Sequence, residues 1–167
     1  MSTHRLVILG AALILLGSAA SASANVDKTF LKDAIQGNLG EVSLGQLAQK
    51  NGNTEGVRNF GQMLVQDHSA SNEKATSLAQ KEGVTLPTEP KPEAKEEQDR
   101  LSKLSGDAFD KEFVNYMVKD RQKDIKEFEK QAKGNDDVAS FAKDTLPTLQ
   151  RHLQTAQSLA GGKSEQM

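Results

Sequence analysis

The spacing of apolar residues most restricts the folds available to this chain. Through four long stretches they recur every three or four residues, which is the period of an amphipathic helix, and no alternation typical of a strand is sustained. Glycine and asparagine punctuate the ends of these stretches, as they commonly do where helices stop. The pattern predicts an all-α fold with long helices near residues 27–50, 54–82, 107–133 and 136–160.

The connections between these stretches predict how the helices are arranged. "NGN" at 51–53 and "KGNDD" at 133–137 are short, so each is expected to join antiparallel neighbours. The middle connection contains Pro87, Pro90 and Pro92 and then a charged segment, residues 93–104, that could form a helical turn or two. This layout predicts a ferritin-like four-helix bundle, with two antiparallel helical hairpins joined by a long Pro-rich crossover, and simple up-down-up-down topology is the alternative.

The N-terminal segment has the features of a secretory signal. Arg5 gives it a positive start, residues 6–16 are apolar, and Ala22-Ser23-Ala24 is a small-residue cleavage site. The apolar run is too short to span a bilayer. We therefore predict a cleaved signal peptide at 1–24, a helical domain at 25–160 and a disordered tail at 161–167, in a soluble periplasmic or secreted protein without a transmembrane anchor after cleavage.

Composition removes several classes of function. The chain has no cysteine, which excludes disulfides and thiolate metal sites, and its 21 basic and 23 acidic side chains give a net charge of −2. Because both signs are interleaved along the helices, no basic patch favours nucleic acid as a partner. A protein partner, a small ligand and a homo-oligomer all stay open.

Several polar residues fall on the helix faces that the apolar period assigns to the core. On the same faces lie all six phenylalanines, for which core packing is the simplest interpretation. Counted from the interhelix loops, the polar positions lie at similar heights, so the helices should bring them to one level of the bundle. They are Glu41, His68, Asp120, Arg121, Asp124 and His152.

Two interpretations of this polar layer follow. One is a single divalent ion (iron, zinc or manganese) held by Glu41, His68, Asp124 and His152, the kind of site that helical bundles build in their cores. A di-iron carboxylate site is not indicated, because Val65 and Leu149 stand where the Glu-x-x-His signature requires glutamate. No other cofactor is indicated.

The other interpretation is a core ionic layer. The layer would consist of Asp120, Arg121, Asp124 and Glu41, with Arg121 forked onto Glu41 or Asp124 and the histidines hydrogen-bonded nearby. Arg121 favours this interpretation, since a guanidinium cannot ligate a metal and repels a cation.

Four segments carry a resemblance to a known family. The chain resembles a secreted bacterial ferritin-like four-helix family, domain of unknown function 4142, often labelled "predicted outer membrane protein". The resemblance implies a ferritin-like bundle with core positions at Glu41, His68 and His152. The family pattern implies histidine after the aspartate of the third long helix, whereas here Asp120 is followed by Arg121. The segments are "FLKDAIQGNLGEVSLGQLA", "VRNFGQMLVQDHSASN", "LSGDAFDKEFVNYMVKD" and "FAKDTLPTLQRHLQTA".

The function these observations favour is non-catalytic. We expect a periplasmic or secreted bundle with a binding role or a role in envelope or stress physiology, and no catalytic residues, since no nucleophile elbow or triad order is present. The main alternative is a divalent-metal-binding or metal-storage protein. A further alternative is an interaction or lipid-carrying module that uses the proline-rich crossover as a lid.

Overall fold

The computed structural model describes residues 18–162 of the chain, with side chains from residue 27 onward. This part is a helical bundle with no strand among its residues, which confirms the predicted all-α class. None of its helices is long and apolar enough to cross a membrane. The helices are α1 (Ser18–Asn51), α2 (Glu55–Lys81), α3 (Pro92–Ser102), α4 (Gly106–Gln131) and α5 (Asp137–Ala160).

Helix boundaries follow the sequence pattern except at one end. The ends of α2 to α5 lie within two residues of the predicted positions. α1, however, already includes residues 18–26, the first described residues, which are mostly alanine and serine and contain no proline or glycine to stop the helix, whereas the predicted start lies near residue 27. Residues 1–17 of the predicted signal segment and 163–167 of the predicted tail lie outside the described residues.

Short loops make α1 and α2 one antiparallel pair and α4 and α5 another. The pairs pack with α1 against α4 and α2 against α5, while α3 lies in the crossover against α1 and α4. Glycines allow two close approaches. A Cβ atom at Gly61 would lie 2.6 Å from the carbonyl oxygen of Gly45, and one at Gly40 would lie 2.9 Å from the Cβ of Ala94 in α3.

The apolar core is divided into two clusters along the bundle. The first, near the α1–α2 loop, is built around Leu44, Phe60 and Phe113. The second, towards the other end, contains Leu31 and Phe141 and is flanked by the partly buried Phe30 and Phe128. On α1, α2, α4 and α5 the buried polar residues lie between the segments that supply the two clusters. These residues are Asn38, Glu41, His68, Arg121 and His152.

Candidate functional site

Arg121 lies at the centre of the polar layer and is fully buried. Its Nη2 atom is 2.6 Å from Oε1 of Glu41 on α1 and 3.1 Å from Oδ2 of Asp120. Its Nη1 atom is 3.3 Å from Oδ2 of Asp124, one helical turn further along α4. The structure thus brings the four residues of the predicted ionic layer into contact, and the pair with Glu41 joins α1 to α4.

His68 extends this group from α2. Its Nδ1 is 2.8 Å from the Oδ1 of Asn38, which can only accept, so Nδ1 carries the proton. The other ring nitrogen, Nε2, accepts from Nη1 of Arg121 at 3.2 Å. Burial, then the positive charge of Arg121 and the neighbouring His152, lower the pKa of His68 well below its usual value. His68 is therefore a neutral imidazole, and we call Glu41, His68, Asp120, Arg121 and Asp124 the Arg121 cluster.

His152 lies beside the cluster but bonds elsewhere. Its ring centroid is 5.3 Å from that of His68, and its Nε2 donates to Oδ2 of Asp67 at 2.7 Å. Asp67 also accepts from Nη2 of Arg151 at 2.7 Å. Burial lowers the pKa of His152 to about 4, although the hydrogen bond to Asp67 acts in the opposite direction.

The four candidate metal ligands do not converge on a common point. Glu41 and Asp124 both contact Arg121, and His152 is bound to Asp67. His68 Nε2 is 3.8 Å from Oε2 of Glu41 but accepts from the guanidinium. Within the described part of the chain, no three His, Asp or Glu side chains are arranged to hold a metal ion. The residues therefore do not fit a resident metal, and a guanidinium lies among the groups expected to bind one.

The cluster contains more negative than positive groups. Burial raises the pKa of Glu41 well above its usual range, with Arg121 opposing this and Asp120 and Asp124 adding to it. Burial likewise raises the pKa of Asp124 to about 6, against the effect of Arg121. For Arg121 burial would lower the pKa, but the surrounding carboxylates raise it overall, so the guanidinium stays charged.

A cavity of about 210 Å³ adjoins the cluster. Its inner wall includes Glu41 and His68, and the crossover residue Ala94 contributes to its outer wall. It reaches the surface, where the lining residues Glu93 and Lys123 are exposed. The polar layer therefore borders a space large enough for a small molecule, since an engineered cavity of about 150 Å³ can hold benzene.

Sequence reasoning missed two residues that orient the histidines. Asn38 holds Nδ1 of His68, and Asp67 holds Nε2 of His152. The available signal was spacing: Asn38 lies one helical turn before Glu41 and so on the same face of α1. Asp67 directly precedes His68 and gave no such signal, because adjacent residues of a helix point in different directions.

Comparisons with known proteins give a family and a fold. The sequence profile of a family described as "Domain of unknown function (DUF4142)" matches residues 16–159. The fold is similar to the crystal structure of a DUF305 fragment from Deinococcus radiodurans, with a TM-score of 0.73 and 14% identity over 82% of this chain and 96% of that chain. No curated protein matches. At this identity the structural likeness shows the fold alone.

Replacing Arg121 by methionine should destabilise the protein by about 3–5 kcal/mol at pH 7, because it leaves buried carboxylates without their counter-charge. The double variant Arg121→Met, Glu41→Gln should recover part of this loss, since the uncompensated charge is removed. Urea unfolding of the wild type, both single variants and the double variant measures the coupling. Arg151→Met, which removes an exposed arginine from its pair with Asp67, is the control and should cost about 1 kcal/mol or less. Equal losses at the two arginines would contradict a buried cluster.

Acid should weaken the fold through His152. Its folded pKa of about 4 lies below the usual 6.5, so the unfolded chain binds the proton first and stability is lost as pH falls between these values. Glu41 and Asp124 have raised pKa values and act in the opposite direction. Comparison with His152→Gln isolates the histidine: the wild-type advantage in unfolding free energy should shrink by about 2–3 kcal/mol between pH 7 and pH 4.5. A difference that does not change with pH would show that His152 can be protonated in the fold.

Proposed function

We propose that this protein, which belongs to the DUF4142 family of unknown function, is an exported, non-catalytic binding protein whose ligand site is the cavity beside the Arg121 cluster. The observation that carries the proposal is the state of Glu41. One of its oxygens contacts Arg121, while Oε2 has no hydrogen-bond partner although the residue is only 4% exposed. Leaving a buried carboxylate oxygen unpaired costs stability, and because Glu41 is one of the residues that line the cavity, a donor group of a ligand there would satisfy this oxygen.

The proposed architecture is the ferritin-like four-helix type. Two antiparallel pairs, α1 with α2 and α4 with α5, are joined by a long connection that contains α3, as in bundles with one crossover. Bundles of this type place cofactor sites in the core between facing helices, and the Arg121 cluster lies at that level. In this proposal the guanidinium of Arg121 serves as a permanent counter-ion where related bundles would bind a metal.

Binding is favoured over catalysis by the state of the two core histidines. Both nitrogens of His68 are hydrogen-bonded. In His152, Nε2 is held by Asp67, and Nδ1 has no partner among the described residues but is buried in a residue that does not line the cavity. A general base needs a free nitrogen within reach of the substrate and a pKa near the working pH. The low pKa of His68 and its two hydrogen bonds support a positioning role for this residue in the cavity wall.

Export is proposed from the N-terminal sequence. The positive Arg5, the apolar residues 6–16 and the Ala22-Ser23-Ala24 site support cleavage after Ala24 and a periplasmic or secreted location. After cleavage the helix α1 would begin near residue 25. Expression of the full chain in a Gram-negative bacterium should yield periplasmic protein whose intact mass lacks residues 1–24. Recovery of the uncleaved chain from the cytoplasm would contradict export.

Filling the cavity tests the binding function. Gly37 on α1 lines the cavity, and a Cβ atom there would meet no atom within 4 Å, so Gly37→Leu should occupy the space without a clash. Small probes of different charge, namely n-butanol, n-butylammonium and butyrate, are titrated into isotope-labelled protein and followed by NMR. At least one should shift amide signals around the cavity at millimolar concentration, and Gly37→Leu should abolish the shift. Gln46→Leu, an exposed position of α1, is the matched control.

The same experiments separate this function from metal storage. Elemental analysis of untagged protein that finds stoichiometric iron, zinc or manganese, lost in His68→Ala, would favour the metal alternative. No response to any of the three probes in the wild type, or an equal response in Gly37→Leu, would refute the cavity as a binding site.

A further inference from the structure

The unpartnered oxygen of Glu41 specifies the kind of group a ligand must offer. The 2.6 Å contact with the guanidinium of Arg121 favours the ionised form of Glu41 against the effect of burial, and in that form Oε2 can only accept a hydrogen bond. Nε2 of His68 lies 3.8 Å from Oε2, but this nitrogen accepts from Arg121 and His68 is neutral. Within the described part of the chain, Oε2 has no hydrogen-bond donor. The ligand should therefore present a donor at this end of the cavity.

The charge balance favours a donor that is positive. Three carboxylates, those of Glu41, Asp120 and Asp124, surround the single guanidinium of Arg121 at the inner end. Nearer the surface, Lys91 is already paired with Asp33, with 3.3 Å between Nζ and Oδ1. An anion would add to the excess of negative charge and a cation would offset it.

The rest of the cavity wall is suited to hydrocarbon. Phe30 and Phe128 both line it and meet edge to face, with ring centroids 4.9 Å apart, and Leu149 lies in the same wall. A bare metal ion would leave this apolar surface and most of the 210 Å³ unused. A molecule of roughly six to eight non-hydrogen atoms would fill it, by comparison with cavities that hold benzene.

We propose that the cavity binds a small primary alkylammonium ligand, with its ammonium group at Oε2 of Glu41 and its alkyl chain against Phe30 and Phe128. This proposal rests on the proposed binding function and adds the chemical class of the ligand. An ammonium group has three donors, enough to bond Glu41 and also to reach a neighbouring carboxylate such as Asp124. The phenylalanine rings cover the methylene groups of the alkyl chain.

Isothermal titration calorimetry with n-butylammonium, and with n-butanol as its neutral counterpart, tests the ligand class. The ammonium should bind at least about 10-fold more tightly than the alcohol, because only the ammonium forms charge-assisted hydrogen bonds with the carboxylate. Glu41→Gln should weaken binding of the ammonium by about 10-fold or more and leave binding of the alcohol unchanged. Glu129→Gln changes an exposed carboxylate of α4 outside the cavity lining and should have no effect.

Each outcome bears on one of the two proposals. Equal affinities for the ammonium and the alcohol, or tightest binding of butyrate, would overturn the alkylammonium assignment while the cavity remains a binding site. Binding of no probe would refute the binding function itself. Should Glu41→Gln prove unfolded by circular dichroism, Asp124→Asn replaces it, because that side chain is partly exposed and retains its shape. An unchanged ammonium affinity in the folded variant would then count against the proposal.

Discussion

The buried ion pair between Arg121 and Glu41 is the contact on which the arrangement of the core depends. It joins α1 to α4 across the bundle and lies between the two apolar clusters. A pair of this kind adds little net stability over apolar residues, because both ions lose their hydration. The pair instead acts on the position of α4 along α1. Sliding α4 along α1 by one helical turn would separate the buried guanidinium from Glu41, so the pair fixes the register that apolar packing alone would leave less defined.

Much of the fold could be predicted from the sequence, because the helical spacing of apolar residues and the residues that end helices are local properties. Both signals are present in α2, α4 and α5. The N-terminal part of α1 is different, since it is rich in alanine and serine and contains no residue that would stop a helix. The polar members of the core were visible because charged residues interrupt an otherwise apolar face. The partner of each polar residue could not be predicted, because it depends on how the helices are rotated against one another.

The tertiary details that decide the chemistry were beyond sequence reasoning for the same reason. That His68 donates to Asn38 and accepts from Arg121 follows only from the relative positions of three helices. The cavity depends on where the crossover packs, and Gly40 is the position that lets Ala94 of α3 approach α1. Neither Gly40 nor Ala94 carries a sequence signal for a binding site, because glycine and alanine in a helix are compatible with many kinds of packing.

The excess of carboxylates over cationic groups in the Arg121 cluster links structure to function. A layer built only for register could have been neutral, with one carboxylate for one guanidinium, yet three carboxylates surround Arg121. Burial, with the neighbouring carboxylates adding to it, raises the pKa values of Glu41 and Asp124, so the fold holds these groups at a cost in stability. Such costs persist where they serve a function, and here an atom without a hydrogen-bond partner among the described residues, Oε2 of Glu41, belongs to a residue of the cavity wall. A cationic ligand would offset this cost on binding, which is why the same residues that specify the packing also specify the charge of what the cavity accepts.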